Sequence, residues 1–400
     1  MSLLAPRMGR VKRSASQLAS ARARALRAEG RDILALTAGE PDFPTPDHVI
    51  EAAYAAMRRG ETRYTNTEGT PELKRAVQDK FRRENGLDYR LDEIIVSAGA
   101  KQAIFNALMA TLAPGDEVIV PAPFWASYPE MVRIAEGEAV AVACPQNNGF
   151  KLQPEELEAA ITPRTKWLLL NSPSNPCGAV YSAAELAALA EVLRRHPHVR
   201  VLSDDIYEHL IFDGRPFATI AAVAPDLKPR TLTVNGVSKT YAMTGWRIGY
   251  AAGPAELVKA MTVVQGQSTS GPSSVGQAAA LAALTGPQAV VRERRAVMQE
   301  RRDLMVRLLN AAPGLACHAP EGSMFVYASC AGAIGMRRPD GKIIETDEDF
   351  TLYLLEAANV AVVQGGAYGL SPFVRASFAV STEDIGEAGR RIAEACAALR

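Results

Sequence analysis

Cysteine is scarce in this sequence. Only five cysteines occur among 400 residues, and no two of them are spaced Cys-x-x-Cys. An odd number of scattered cysteines argues against a disulfide framework, and their spacing argues against a structural zinc site. We therefore expect free thiols in a reducing compartment and no bound metal.

An excess of charge of one sign is also missing, as are long apolar runs. The chain has 44 basic and 44 acidic side chains, so its formal net charge is zero. Nucleic-acid-binding proteins normally carry a basic excess, and the balance argues against that class. No apolar run is long enough to span a bilayer, and the first residues lack the apolar core of a secretory signal. The expectation is a cytoplasmic protein that binds neither nucleic acid nor membrane.

Short apolar runs that alternate with helical patterns begin near residue 94. The seven predicted strands are residues 94–97, 118–121, 139–143, 167–171, 199–203, 231–235 and 248–252. Near-continuous apolar strands of this kind indicate the α/β class, with a mostly parallel sheet covered by helices on both faces. Ligands bind such sheets at the carboxyl ends of the strands, so we expect the polar residues after these runs to form a site.

The length of the chain predicts two domains, because 400 residues exceed one typical core. After Gly286 comes an arginine-rich helical segment, whose charges we interpret as a solvated face, and then a mixture of strands and helices. We predict a large domain over residues 47–285 and a smaller α+β domain formed by residues 1–46 and 286–400.

Two motifs combine a strand end with small or rigid residues. SAGAKQAIFN (97–106) places glycine before a helix start, where free N–H groups and the helix dipole attract anions, although packing alone also explains such a glycine. NSPSNPCG (171–178) holds Asn175 rigid between two prolines and a glycine. This segment is either a plain turn or an amide donor for a ligand oxygen.

A third motif, VLSDDIYEHL (201–210), puts Asp204 and Asp205 at the end of an apolar strand. Buried carboxylates are costly unless a cation faces them. A metal ion or a cationic ring nitrogen meets that need, and no cluster of metal ligands accompanies the pair. Tyr207 offers a hydroxyl group to the same ligand.

The remaining motifs carry isolated cations. Lys239 and Arg247 are the only charged residues of VNGVSKTYAMTGWRIGYAAGP (234–254). A lysine in apolar surroundings can have a lowered pKa and act as an amine nucleophile, whereas most lysines simply lie at the surface. Arg247 suits a phosphate. Arg375 stands alone in the apolar FVRASFA (373–379), either in a buried ion pair or as a clamp for a carboxylate.

As a set, these groups are complementary to one cofactor and its substrate. Pyridoxal phosphate has a phosphate, a phenolic oxygen, a ring nitrogen and an aldehyde, and an amino acid supplies a carboxylate. The chain also resembles the class I pyridoxal-phosphate aminotransferases of fold type I, most closely their bacterial aspartate aminotransferase branch. The resemblance runs from LTAGEPDFPTP (36–46) through PFWASYPEM (123–131) to FVRASFA and includes the motifs above.

The resemblance implies a role for individual residues. Lys239 forms the Schiff base with the cofactor, Asp204 pairs with the ring nitrogen, Asn175 and Tyr207 bind the phenolic oxygen, and Trp125 stacks on the ring. The other cofactor-binding residues that it implies are Gly99, Ala100, Lys101, Ser238 and Arg247, which surround the phosphate. The family forms homodimers with shared active sites, so Tyr64 is expected to reach the phosphate in the neighbouring subunit.

The resemblance also implies how substrate binds. Gly39 and Arg375 contact the α-carboxylate, with Trp125 and Asn175 beside it. Lys101 takes the distal carboxylate of a dicarboxylic substrate. Lys12, Arg13 and Ser16 are expected near the mouth of the site.

Two positions depart from the family pattern. Gly236 stands where a phosphate-binding serine is common, and Cys177 stands where threonine is usual. The segment QGQSTSGPSS (265–274) has no counterpart of the arginine that binds the distal carboxylate in the animal-like branch.

The implied activity is a ping-pong transfer of the amino group of aspartate or glutamate to a 2-oxo acid such as 2-oxoglutarate. Prephenate transamination, a broader aromatic or alanine-type aminotransferase and a C–S β-lyase are alternatives. A non-catalytic sensor is a further alternative, which the lack of a DNA-binding extension disfavours.

Overall fold

A seven-stranded sheet forms the centre of the molecule in the computed structural model, which describes residues 3–400. The strands of the chain are β1 Leu34–Ala35, β2 Ile94–Ser97, β3 Glu117–Ala122, β4 Glu138–Ala143, β5 Thr165–Asn171, β6 Arg200–Asp204, β7 Thr231–Gly236, β8 Gly249–Ala252, β9 Phe325–Ser329, β10 Val360–Ala361, β11 Val363–Gln364 and β12 Phe373–Ser377. Strands β2 to β8 form the central sheet in the order β2-β8-β7-β6-β5-β3-β4. All are parallel except β8, which runs antiparallel to both β2 and β7. The predicted α/β fold and its seven strands are confirmed.

Helices cover this sheet on both faces. The helices are α1 Ala15–Ala28, α2 Asp47–Arg58, α3 Pro71–Asn85, α4 Ala100–Thr111, α5 Ser127–Ile134, α6 Pro154–Ala160, α7 Ala183–Arg195, α8 Ile220–Val223, α9 Ala255–Ser268, α10 Ser274–Thr285, α11 Ala289–Ala311, α12 Asp347–Ala357 and α13 Thr382–Ala397. Local sequence sets several of their ends. Helix α7, for example, begins with a capping box, in which the Ser182 hydroxyl accepts from Glu185 N–H at 3.2 Å and the Glu185 carboxylate accepts from Ser182 N–H at 2.8 Å.

Except in the edge strand β4, which is partly exposed, the apolar runs are buried on both sides, because successive side chains of a strand point to opposite faces. In β5, Trp167 and Leu169 belong to one apolar cluster, whereas Leu168 and Leu170 belong to the cluster on the other face. This double burial explains why the strands lack alternating polar residues.

A second, smaller sheet is antiparallel and has the order β11-β12-β9. Its core includes Phe325 and Ile385 and extends to Ile206 and Tyr207, just after β6. Strand β1 pairs in parallel with β10, which joins the two ends of the chain. The boundaries proposed at residues 46/47 and 285/286 stay a prediction.

The arginine-rich helix α11 follows the sequence interpretation in part, since Arg292, Arg295 and Arg307 are exposed, and departs from it at two positions. Arg301 and Arg302 are buried rather than solvated. Arg301 pairs with Asp42 at 2.7 Å, and Arg302 pairs with Asp213 at 2.6 Å. Their acidic partners lie far away in sequence, which is why a pattern of charges within the helix did not reveal them. Within residues 3–400, no helix is both long and apolar enough to cross a membrane.

Candidate active site

A cavity of about 320 Å³ lies where the strands of the central sheet end. The predicted site residues that line it are Ser16, Gly39, Ala100, Lys101, Trp125, Asn175, Asp204, Tyr207, Ser238, Lys239, Arg247 and Arg375. Gly99 borders this group through its contact with Arg247. Tyr64 does not line the cavity, and 94% of its surface is exposed. Residues from five distant motifs therefore meet in one place.

Lys239 follows strand β7 and presents its amine to the cavity. The ammonium group donates a hydrogen bond to the carbonyl oxygen of Gly39 at 2.6 Å. Burial lowers the pKa of Lys239 to about 8, with Glu40 opposing the shift and Arg247 adding to it. A substantial fraction of this amine is therefore neutral near physiological pH, as a nucleophile requires.

Asp204 ends strand β6 on the floor of the cavity. Its carboxylate accepts hydrogen bonds from the Tyr128 hydroxyl at 2.5 Å and from the Ile206 N–H at 3.3 Å. Burial raises the pKa of Asp204 to about 6. Both of these donors are neutral, and among residues 3–400 the carboxylate has no ion-pair partner within 4.0 Å.

The neighbouring Asp205 is also buried but does not line the cavity. It accepts a hydrogen bond from the Ser203 hydroxyl at 2.7 Å, and burial raises its pKa to about 7. The structure thus separates two carboxylates that the apolar run alone leaves equivalent, and the one that lines the cavity is Asp204, the residue that the resemblance implies.

The end of the cavity beside helix α4 is suited to an anion. Gly99 precedes the helix with φ +93°, in the left-handed region that favours glycine. The guanidinium of Arg247 lies against it, and a Cβ added at Gly99 would be 2.2 Å from Arg247 Nη2. Arg247 donates hydrogen bonds to the carbonyls of Thr244 at 2.7 Å and Ala98 at 3.1 Å, so its position is fixed. The first N–H groups of a helix and a guanidinium together attract a phosphate.

Arg375 on strand β12 is a second, deeply buried cation with only 2% of its surface exposed. It donates hydrogen bonds to Asn175 Oδ1 at 3.1 Å and to the Thr37 carbonyl at 2.7 Å, while its Nε has no partner. The guanidinium also lies over the Phe325 ring, 4.2 Å from the centroid. Within residues 3–400, no carboxylate lies within 4.0 Å of it, so the alternative of a buried ion pair finds no partner.

The mouth of the cavity carries Lys101, whose Nζ lies 4.6 Å from the centroid of the Trp125 ring. Lys101 also donates a hydrogen bond to Ser127 Oγ at 3.2 Å. Partial burial and the neighbouring Arg247 lower its pKa. The Ser16 and Tyr368 hydroxyls are hydrogen-bonded at 2.9 Å, which ties helix α1 to the small sheet. Lys12 and Arg13 line the adjoining openings.

The structure shows the surroundings of Gly236 and Cys177, the two positions that depart from the family pattern. A Cβ at Gly236 would lie 3.0 Å from Gly249 Cα, because strands β7 and β8 approach closely there. A serine at this position therefore needs the two strands to shift. Cys177 is buried in an apolar cluster with Tyr327 and does not line the cavity.

Sequence reasoning missed several residues of the site. Asn171 accepts a hydrogen bond from Asn175 N–H at 2.8 Å and donates one to the Asp204 carbonyl at 2.8 Å, so it joins the ends of two strands. Asn171 stands at the end of a predicted strand, and that position could have identified it as a site residue from the sequence. Thr37 and Tyr128 also line the cavity, but neither residue type marks a site by itself.

Comparison with known proteins identifies the family. Residues 31–392 match the family model described as aminotransferase class I and II. The aspartate aminotransferase of Rhizobium meliloti strain 1021 is 60% identical over 376 residues, which cover 94% of this chain and 92% of that protein. The aspartate/prephenate aminotransferase of Cereibacter sphaeroides is 55% identical over 399 residues and 100% of both chains. A crystal structure of the Rhizobium meliloti aspartate aminotransferase has a TM-score of 0.97 to this fold, with 57% identity over 100% of both chains. The chain therefore belongs to the class I and II aminotransferases, as the resemblance of its motifs predicts.

Proposed function

We propose that the protein binds pyridoxal phosphate and transfers the amino group of aspartate to a 2-oxo acid such as 2-oxoglutarate. Class I and II aminotransferases depend on this cofactor as a family. One observation carries the proposal. A single cavity holds the Lys239 amine, the Asp204 carboxylate and the Arg375 guanidinium, and none of the three has an ion-pair partner within 4.0 Å among residues 3–400.

The residues present fit the cofactor. The start of helix α4 and Arg247 form a place for a phosphate, and a side chain at Gly99 would collide with the Arg247 guanidinium there. Asp204 is a buried carboxylate that needs a cationic partner, which a protonated ring nitrogen supplies. Asn175 and Tyr207 offer polar groups for the phenolic oxygen, and Trp125 offers a ring face. When bound, pyridoxal phosphate supplies an aldehyde that condenses with amines and a ring that accepts electron density.

The residues of the chain then have distinct tasks. Lys239 provides an amine that is partly neutral at working pH, so it can hold the cofactor and move a proton at the substrate Cα. Asp204 keeps the ring nitrogen protonated. Arg375 holds the α-carboxylate of the substrate through a planar fork of N–H groups, helped by its unpaired Nε. Helix α1, tied to the small sheet through Ser16, covers the opening and limits access of water.

The preference for aspartate rests on the mouth of the cavity and on the relatives. Lys101, with Lys12, Arg13 and Ser16, provides positive charge and a hydroxyl group for a second carboxylate. The relative from Cereibacter sphaeroides is named an aspartate/prephenate aminotransferase, and prephenate also has a second carboxylate. Prephenate is therefore the second candidate substrate.

The proposal includes a homodimer in the cytoplasm. Tyr64, implied to bind phosphate, is outside the cavity of its own chain and fully accessible. A neighbouring copy that places its Tyr64 at this cavity resolves the discrepancy, since symmetric dimers exchange equivalent residues.

The cofactor assignment is tested by visible absorbance. Purified wild-type protein should be coloured, and Lys239→Ala should lose the wild-type band or show one only with added amine. Lys101→Ala serves as the control, because the resemblance implies only the Lys101 backbone at the phosphate, and this variant should keep the band. A wild-type protein that remains colourless with added cofactor contradicts the proposal.

The substrate assignment is tested by the kinetics of Lys101→Ala. Lys101→Ala should raise the KM for aspartate by about tenfold, the order expected for one lost charge-assisted hydrogen bond. Its KM for alanine, which has no second carboxylate, should change little. Full retention of dicarboxylate selectivity would show that Lys101 does not bind the distal carboxylate.

A further inference from the structure

We propose that Tyr128 is a positioning residue for this reaction, whose hydroxyl group keeps the Asp204 carboxylate ionised and directed toward the ring nitrogen of the bound cofactor. The proposal rests on the proposed function for its second half, because the ring nitrogen belongs to the cofactor. Its first half, the control of Asp204 by Tyr128, concerns the protein alone. The two halves can be tested separately.

The geometry of the pair is specific. Tyr128 lies in the first turn of helix α5 and is only 1% exposed, yet its hydroxyl group reaches across to Asp204 Oδ2 at 2.5 Å. Its ring is held edge-on to Trp125, with centroids 5.1 Å apart. Tyr128 and Asp204 both line the cavity, so a ligand in the cavity lies next to the hydrogen bond between them.

Tyr128 is suited to act as a permanent donor. Burial raises its pKa well above the ordinary value, and the nearby carboxylate of Asp204 adds to the shift. The phenol therefore stays protonated over the whole working range of pH and always donates to Asp204. A neutral donor stabilises the carboxylate without cancelling its charge, which leaves that charge for a cationic ligand.

The other groups that face Asp204 do not replace this contact. The Ile206 N–H donates at the longer distance of 3.3 Å. Lys239, from the loop after β7, favours the ionised form through its charge. Asp205 and Tyr207, in the segment that follows strand β6, lie near the Asp204–Tyr128 pair. Of the side chains around it, Tyr128 is the one that donates a hydrogen bond to the Asp204 carboxylate.

The sign of the pH effect follows from the pKa of Asp204, which burial raises to about 6 from an ordinary value of 3.8. A carboxyl group with a raised pKa binds its proton more tightly in the folded protein than in the unfolded chain. Its contribution to stability is therefore present at low pH and declines as the pH rises toward 6. Tyr128→Phe removes a group that lowers the pKa of Asp204. The contribution of Asp204 to stability should therefore fall further in this variant and continue to fall to higher pH.

The first experiment measures urea unfolding of the full-length, cofactor-free protein at about pH 5 and about pH 8. The loss of unfolding free energy in Tyr128→Phe should be larger at the higher pH. Asp205 titrates in the same range in both proteins and cancels in the difference. The matched control is Tyr353→Phe, because the hydroxyl group of buried Tyr353 donates to the Ala395 carbonyl at 2.8 Å instead of to a carboxylate. The loss of unfolding free energy in this control variant should not depend on pH.

The second experiment uses the loaded enzyme and reads the ring nitrogen directly. Pyridoxal phosphate labelled with ¹⁵N should give a pyridinium chemical shift in the wild type and a shift toward neutral pyridine in Tyr128→Phe. Site-specific incorporation of 3,5-difluorotyrosine at position 128 keeps the shape but strengthens the donor. It should make the loss of unfolding free energy at the higher pH smaller than in the wild type and should keep the pyridinium shift, and it replaces the phenylalanine variant if that protein does not fold.

If Tyr128 has a purely structural role, the loss of unfolding free energy in Tyr128→Phe should be independent of pH and the ¹⁵N shift should be unchanged. Either result overturns the proposal. Failure of wild-type protein to bind pyridoxal phosphate is a different outcome. It would overturn the proposed function and the second half of this inference, while the unfolding experiment would still decide whether Tyr128 controls Asp204.

Discussion

Arg375 illustrates how a single side chain reveals a ligand that the chain itself does not contain. A buried guanidinium without a carboxylate partner is costly, because the protein interior does not replace the lost hydration of the charge. Its contacts with Asn175 and Thr37 orient the group but do not neutralise it. The cost of this buried charge is offset only when an anion binds beside it, and the carboxylate of an amino acid is such an anion.

Arg375→Lys should therefore damage substrate binding although it keeps the charge. Lysine cannot reproduce the planar fork that binds a carboxylate with two parallel hydrogen bonds. We expect the KM for aspartate to rise by about 10- to 100-fold, which corresponds to about 1.5–3 kcal/mol. Arg302→Lys is the matched control, because Arg302 is buried beside Asp213 and away from the cavity. An equal rise in KM for both variants would contradict the assigned role of Arg375.

Individual residues were predictable where their type is unusual for its surroundings. Lys239, Asp204 and Arg375 are charged residues in apolar strands or loops, and that conflict is visible in the sequence. Tyr128 is not in conflict with its surroundings, since a tyrosine in an amphipathic helix is an ordinary core residue. Its partner lies 76 residues away, so only the folded chain shows the contact.

Strand β8 is the element that builds the anion end of the site. It pairs with β2 so that Gly249 lies opposite Ser97, and this register places the segment before Gly249 beside the start of helix α4. Space at the crossing is minimal, because a Cβ at Gly249 would lie 2.1 Å from the backbone nitrogen of Ala100. Glycine at position 249 is thus required by the close approach of two backbones.

Gly249→Ala should disturb both the sheet and the phosphate site. The added methyl group must push helix α4 away from β8, and we expect the free energy of unfolding to fall by about 1–3 kcal/mol. Affinity for pyridoxal phosphate should fall with it, as measured by equilibrium dialysis. Gly245→Ala, four residues earlier, has open space around its Cβ position and should leave both quantities nearly unchanged. If the two variants behaved alike, the crowding at position 249 would not matter.

The elements of the central sheet could be predicted because most of its strands are buried on both faces and read as apolar runs, and the partly exposed edge strand β4 still consists mainly of Ala and Val. The antiparallel direction of β8 could not, since periodicity carries no information about which neighbours a strand chooses. The small sheet was foreseen only as a mixture of strands and helices. Strands of two residues, such as β1 and β10, are too short to leave a pattern.

At the scale of the whole molecule, the proposed dimer gives a task to Tyr64, which is exposed and lies outside the cavity of its own chain. If Tyr64 acts on the neighbouring cavity, then Lys239 and Tyr64 of one working site come from different chains. Hybrid dimers of Lys239→Ala and Tyr64→Ala chains, prepared with two different affinity tags, should contain one intact site. Their activity should approach about half that of the wild-type dimer.

The parent homodimers provide the controls for this experiment. Lys239→Ala homodimers should be inactive, and Tyr64→Ala homodimers should need more cofactor to saturate. The hybrid should regain wild-type affinity for cofactor at one site per dimer. If Tyr64 serves its own chain, the hybrid has no intact site and shows no such recovery.

The position of β8 in the sheet also determines when, during synthesis, the protein can become functional. Strand β2 is an edge strand whose sole neighbour in the central sheet is β8, so residues 94–97 wait unpaired until residues 249–252 have left the ribosome. The same pairing brings Arg247 to Gly99. A nascent chain that has not yet released residues 247–252 from the ribosome therefore lacks the place for a phosphate, and a phosphate-bearing cofactor cannot assist its folding. Capture of the cofactor should mark the completion of the central sheet, which makes cofactor binding by truncated chains on stalled ribosomes a measure of how far folding has advanced.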